Sequence, residues 1–290
     1  MSPEEYRQFL RKSFEEFLQA QDGPVEPNDP YLPFKFPYIT AAKWHFMADA
    51  MIQDELRELT NRLHDWRDML RRWHAWNIVS SKLDEMPAWQ LRREFMDPLM
   101  HTCLLMPSLM RDVFTFVGTN AFHQIRLHIE DGYKDFLEGD PSASDPQPRE
   151  LTRRQKEARL DKLAKSIPGA SAFLSALRAL DSEDYRDKTK NYRNTNSHAI
   201  GPRIALGSTR MVIRRVVPAT TMETQLDGSG RIVDVPGKYV ASYSFGGVEP
   251  LELENARTAN LSQYRLARDC FAAFTAVLEA NADTLPRADA

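Results

Sequence analysis

Cysteine is scarce in this chain of 290 residues: there are two, Cys103 and Cys270, both in apolar, helix-patterned surroundings. That scarcity excludes a disulfide framework and points to buried free thiols in a reducing cytoplasm. Neither sign of charge is in large excess. The formal net charge is −3, so no global basic field advertises nucleic acid, and any such contact has to use a local patch. Long apolar runs are missing as well. The longest apolar-rich stretch, Leu99 to Met110, contains His101 and Pro107 and runs into Arg111 and Asp112. It is too short to span a bilayer, so no membrane partner is expected. The opening MSPEEYRQF is charged and has no apolar h-region, so no signal peptide is expected and the location reads as cytoplasmic.

Whole chemistries are absent too. The chain has no H-E-x-x-H, no paired C-x-x-C, no P-loop, no G-x-G-x-x-G and no G-x-S-x-G. No metal and no cofactor is expected on that basis. His45, His64, His74, His101, His123 and His128 are scattered and read as polar-face or internally satisfied side chains.

What is present is mostly helical pattern. Hydrophobic residues make up 42% of the chain, enough for a sizeable core. Residues 3–20 place Tyr6, Phe9, Leu10, Phe14, Phe17 and Leu18 at helical spacing. Five prolines between 24 and 37 then forbid a helix and favour an extended segment that packs along a surface through Tyr31, Phe34, Phe36 and Tyr38. Thr40 is placed to cap a long helix reaching about Leu83. All five tryptophans fall between Trp44 and Trp89, and Trp66, Leu70, Trp73 and Trp76 form a stripe that reads as core. Helical pattern continues to about Phe136, with breaks expected at Pro98 and Pro107. A proline-rich loop covers 138–150, and further helices follow to Gly201-Pro202. TRMVIRRVV, GRIVDV and KYVASYSF alternate and are β-branched, with Asp227-Gly228-Ser229-Gly230 as a turn. Residues 256–283 return to helix.

The expected fold is therefore mainly α, a helical bundle of long antiparallel helices with a small antiparallel β insert. The N-terminal helix and proline-rich linker occupy 1–39. The bundle takes 40–202 and 251–290, and the insert 203–250.

One segment carries a chemical signature. YRNTNSHAI, residues 192–200, contains Arg193, Asn194 and His198 in the pattern R-N-x-x-x-H. It sets a permanent cation, an amide and a titratable imidazole within two helical turns, groups suited to acting on a phosphodiester. A looser pattern, arginine followed by four to six residues and a histidine, means little in so arginine-rich a chain. About two matches are expected by chance, and Arg57–His64 and Arg67–His74 also satisfy it. Only Arg193–His198 has Asn directly after Arg and three residues before His. Asn194 and His198 share a helix face, whereas Arg193 and His198 stand roughly 140° apart on a regular helix. From Arg186 to Arg215 there are eight basic residues against one acidic, Asp187. Arg186, Lys190 and Arg203 are the candidate RNA-binding cations of that patch.

With these residues the chain resembles the HEPN superfamily, helical-bundle proteins that include many prokaryotic toxin and defence ribonucleases. The resemblance rests on Arg193, Asn194 and His198 late in a helix, with another helix following. It implies a metal-independent endoribonuclease acting as a homodimer, with two copies of the motif facing each other across one cleft. Arg193, Asn194 and His198 are the implied catalytic residues, RNA or a nucleotide the implied ligand, and an antitoxin or regulatory protein a conceivable partner. The chain exceeds small family members in length, in its Trp-rich N-terminal half and in its β insert. Some members are non-catalytic RNA-binding or protein-interaction modules, which is the alternative reading.

Overall fold

The structure, a computed structural model, describes residues 1–142 and 146–287. It is mainly helical with one small two-stranded antiparallel sheet. The chain forms two compact units, Met1–Thr189 with Glu254–Ala290, and Lys190–Leu253. Part of the expected 138–150 loop, and the last three residues of the expected bundle, lie outside the described residues.

The first unit begins with α1 (Pro3–Gln21), α2 (Pro37–Ala41), α3 (Ala48–Ser80) and α4 (Glu85–Leu91). It continues through α5 (Asp97–Ile129), α6 (Arg153–Ala164), α7 (Ala170–Ala179) and α8 (Glu183–Lys188), and closes with α10 (Leu253–Ala282) after the second unit. Ser2 opens α1 with a capping box: its Oγ accepts from the Glu5 N–H, and its own N–H donates to the Glu5 carboxylate at 2.6 Å. Phe17 of α1 stacks on Trp76 of α3 at 4.2 Å, and Trp76 stacks on Phe95 at 4.7 Å. Trp66, Leu70 and Trp73 are fully buried, so the tryptophan stripe is core, as its spacing implies. On α5, Gly118 leaves room for Phe173 of α7, whose ring carbon lies 3.0 Å from where a Cβ would stand. Phe173 in turn meets Phe274 of α10 at 4.9 Å.

The proline-rich segment is extended and hangs on the polar face of α3. Arg71 donates to the carbonyls of Val25 and Pro27, Arg67 to that of Asp29, and Thr60 to that of Pro33. His74 Nδ1 accepts from the Glu26 N–H at 2.9 Å, and His64 Nε2 from the Leu32 N–H at 2.7 Å. A segment with so few N–H groups cannot satisfy itself, and α3 supplies the missing partners.

Helix boundaries differ from expectation in three places. Thr40 does not cap the long helix; it lies in α2 and donates to the Pro37 carbonyl, and α3 starts only after Met47 takes a φ of 56°. Pro98 does not break the helix; it comes just after a π-helical turn at Arg92–Met96, through which α4 runs on into α5. Pro107 does not break α5 at all, because a side chain of α10 replaces the lost donor.

The second unit holds α9 (Tyr192–His198) and two long strands, β1 (Val212–Thr224) and β2 (Gly230–Phe245). They pair antiparallel from Val212 opposite Phe245 to Thr224 opposite Gly230, with an irregularity between Pro218 and Thr220. At the expected turn Asp227 accepts from the Ser229 N–H, and Gly228 takes the left-handed φ of 82° that a side chain would resist. At the other end Thr209 and Val248 exchange main-chain hydrogen bonds, and Thr209 Oγ1 donates to the Gly201 carbonyl. The foot of the hairpin is thus tied to the chain leaving α9. Among the described residues no helix is long and apolar enough to cross a membrane.

Candidate phosphate-handling site

The segment from Ser182 to Gly201 reads as one helix in sequence, but the structure splits it. Ser182 caps α8, as its hydroxyl predicts, accepting from the Tyr185 N–H. α8 ends at Lys188; Lys190 and Asn191 then take φ of 51° and 52°, and α9 restarts at Tyr192. Asparagine tolerates the left-handed region better than most residues, which makes Asn191 a natural restart. The motif therefore stands on a separate seven-residue helix in the second unit.

Inside that helix the polar side chains divide their work. Thr195 Oγ1 donates to the Asn191 carbonyl, and Asn196 Nδ2 to that of Tyr192 at 3.0 Å. The Asn196 amide folds over Gly201, where an added Cβ would meet it. Arg193, Asn194 and His198 hold nothing. All three are exposed, and none of their side chains makes a hydrogen bond or ion pair among the described residues. Asn194 and His198 lie one turn apart without a side-chain hydrogen bond between them. Arg193 lies on a different face, so one copy of the helix does not converge the three groups on a single point.

The two weaker R-to-H matches make an internal comparison. His64 and His74 each accept a main-chain N–H, and burial pushes the pKa of both down, favouring the neutral acceptor. They are structural. His198 has no such commitment.

The cations expected to meet RNA behave differently from one another. Arg186 belongs to the first unit and pairs with Asp181 at 3.3 Å. Lys190 donates to the carbonyls of Glu249 and Pro250 at 3.0 and 3.2 Å. Arg203 packs its side chain against Gly207. Its side chain, like those of Arg193, Arg210, Arg214, Arg215, Arg231 and Lys238 in the second unit, makes no hydrogen bond or ion pair among the described residues. Arg231 and Lys238 both fall outside the basic window seen in sequence; Lys238 comes near it only because β2 folds back along β1, whereas Arg231 lies opposite Glu223 near the tip.

A pocket of about 460 Å³ lies beside α9, lined by Lys190, Thr195, Ile200, Arg210, Val248 and Glu249. None of the three motif residues lines it. Among the described residues no group of three His, Cys, Asp or Glu side chains is placed to hold a metal ion. No family model, curated protein or solved structure matches the chain.

Proposed function

We propose that the protein is a HEPN-like endoribonuclease that works without a metal, its active site completed when two copies bring their α9 helices together. The observation that carries this reading is the exposed, uncommitted state of Arg193, Asn194 and His198, against the fully engaged His64 and His74. These three side chains have no partner in one copy and stand open to a ligand. Their separation around α9 is the reason for invoking a second copy, which can supply the missing convergence.

In the reaction the ribose 2′-oxygen forms a bond to phosphorus and the bond from phosphorus to the 5′-oxygen breaks. One His198 takes the 2′-hydroxyl proton, and the other copy's His198 returns a proton to the leaving oxygen. Arg193 places its forked donors on the non-bridging oxygens, where charge grows. Asn194 orients the imidazole or the phosphate.

The test is cleavage of diverse RNAs in EDTA by the wild type, Arg193→Ala and His198→Ala. The wild type is expected to cut and each variant to lose at least a hundred-fold in rate. Mixing the two inactive variants is expected to leave activity low, since a mixed dimer keeps only one of the two histidines that the step uses. Cleavage by His198→Ala at the wild-type rate would sink the proposal. The lack of any group orienting His198 within one copy favours a second reading, a non-catalytic RNA-binding module. RNA binding that survives both substitutions, with no cleavage by the wild type, selects it.

A further inference from the structure

The hairpin of the second unit is far longer than a spacer needs to be, and its two faces differ. In an antiparallel pair, directly opposed residues share a face and alternate residues switch faces. Ile213 and Val217 lie on one face and are half-buried. The other face carries Val212, Arg214 and Val216 of β1 opposite Phe245, Tyr243 and Ala241 of β2, and beyond them Tyr239 opposite Pro218. This face is bare: Tyr239 is 66% exposed, Tyr243 68% and Phe245 96%. Large aromatics displayed this way on a short sheet lose the burial that normally justifies them.

Three features of the face decide what fits it. The aromatics stand at alternating positions of one strand, about 7 Å apart per pair of residues, so each presents a separate ring. Arg214 lies directly opposite Tyr243 with no partner, and from Val212 to Pro218 and Tyr239 to Phe245 there is no acidic residue. Of the neighbouring uncommitted cations, Arg215 alternates onto the opposite face, Lys238 adjoins Tyr239 in the chain, and Arg210 stands at the foot of the hairpin. A protein partner is served by an apolar patch alone. Separate rings beside the unpaired Arg214, in strand segments free of acidic residues, suit a chain of flat bases on a polyanionic backbone.

We infer that the exposed face of the hairpin, Tyr239, Tyr243 and Phe245 with Arg214, is a stacking platform for unpaired bases of single-stranded RNA. This rests on the reading of the second unit as RNA-handling and adds its substrate class, single strand over duplex. The foot of the hairpin is tied to the end of α9 through Thr209 and Gly201, so a strand lying on the platform leads toward Arg193 and His198. A duplex keeps its bases stacked on one another and has no faces to offer the rings.

The test uses the full-length His198→Ala chain, which leaves the probe intact, with a fluorescein-labelled single-stranded oligouridylate and an RNA duplex of equal length. Adding Tyr239→Ala, Tyr243→Ala and Phe245→Ala together is expected to weaken single-strand binding at least ten-fold and to leave duplex binding unchanged. The three side chains are exposed, so circular dichroism of the variant is expected to match the parent. Single-strand affinity equal to the parent's overturns the platform while leaving the ribonuclease reading in place. Equal loss for duplex and single strand also overturns it. If the triple variant instead changes the sedimenting mass without changing RNA affinity, the face joins two copies and the platform is refuted. The catalytic reading fails separately, if the wild type binds the oligouridylate through these aromatics but cuts no RNA.

Discussion

Asn260 of α10 donates from its side-chain amide to the main-chain oxygen of Cys103 at 2.6 Å. That oxygen is the one Pro107 deprives of an intrahelical donor, because the residue four positions on has no N–H. The same amide donates to the Tyr185 hydroxyl at 3.0 Å, and its oxygen accepts from Trp66 Nε1 at 2.8 Å. Tyr185 passes a further hydrogen bond to the Leu104 carbonyl. A single fully buried asparagine thus repairs α5 and joins it to α3, α8 and α10.

Replacing Asn260 by Leu keeps the volume but strands the Trp66 N–H and the Cys103 carbonyl. We expect a loss of about 3 kcal/mol, measured by urea unfolding. In a Pro107→Ala background residue 107 regains an N–H that can serve Cys103. The Asn260→Leu cost is expected to shrink there by about 1 kcal/mol. An identical cost in both backgrounds would contradict the repair.

Lys190 was expected to hold RNA, yet its ammonium is engaged by the carbonyls of Glu249 and Pro250 within the second unit. Lys190→Met is expected to speed hydrogen exchange of the Thr209 and Val248 amides, which pair at the hairpin foot, while global stability changes by about 1 kcal/mol or less. The salt dependence of RNA binding should not change. Arg214→Gln should do the reverse, lowering the slope of log affinity against log salt by about 1. A fall in slope for Lys190→Met would restore it to the phosphate contacts.

His64 and His74 hold the proline-rich segment as neutral acceptors, and burial lowers both pKa values from the usual 6.5. The sign follows from linkage: the unfolded chain binds these protons at a higher pH than the folded one. Their stabilisation is full above about pH 6.5 and is lost as pH falls below it through the lowered folded values. Thermal unfolding should therefore decline below that pH, and proteases should cut within residues 21–38 first. His64→Gln can keep an acceptor that does not titrate, and its decline is expected to be shallower. A parallel pH profile for this variant would exclude the role.

Much of the fold was legible from spacing. Trp66, Leu70, Trp73 and Trp76 announced a buried stripe because a helix repeats every 3.6 residues, and Asp227-Gly228 announced a hairpin because that turn requires left-handed backbone. Pro107 misled because its missing donor is supplied by Asn260, more than 150 residues away, and no local pattern encodes that. The motif was legible as chemistry but not as geometry. The strict R-N-x-x-x-H spacing sets His198 apart from His64 and His74 in sequence, but it does not say which histidines are engaged. That is decided only once the proline-rich segment folds onto α3 and occupies the first two.

Local chain chemistry was thus enough to settle which segments coil, which alternate and where a cation, an amide and an imidazole come close together in sequence, because those depend on neighbours within a few residues. Whether Lys190 is free, whether Pro107 ends a helix, and which cations and aromatics stand unpartnered on the hairpin depended on groups brought together from distant parts of the chain. Hydrogen bonds and burial are satisfied in space, and a side chain is available for a ligand only when the rest of the fold has left it without a partner.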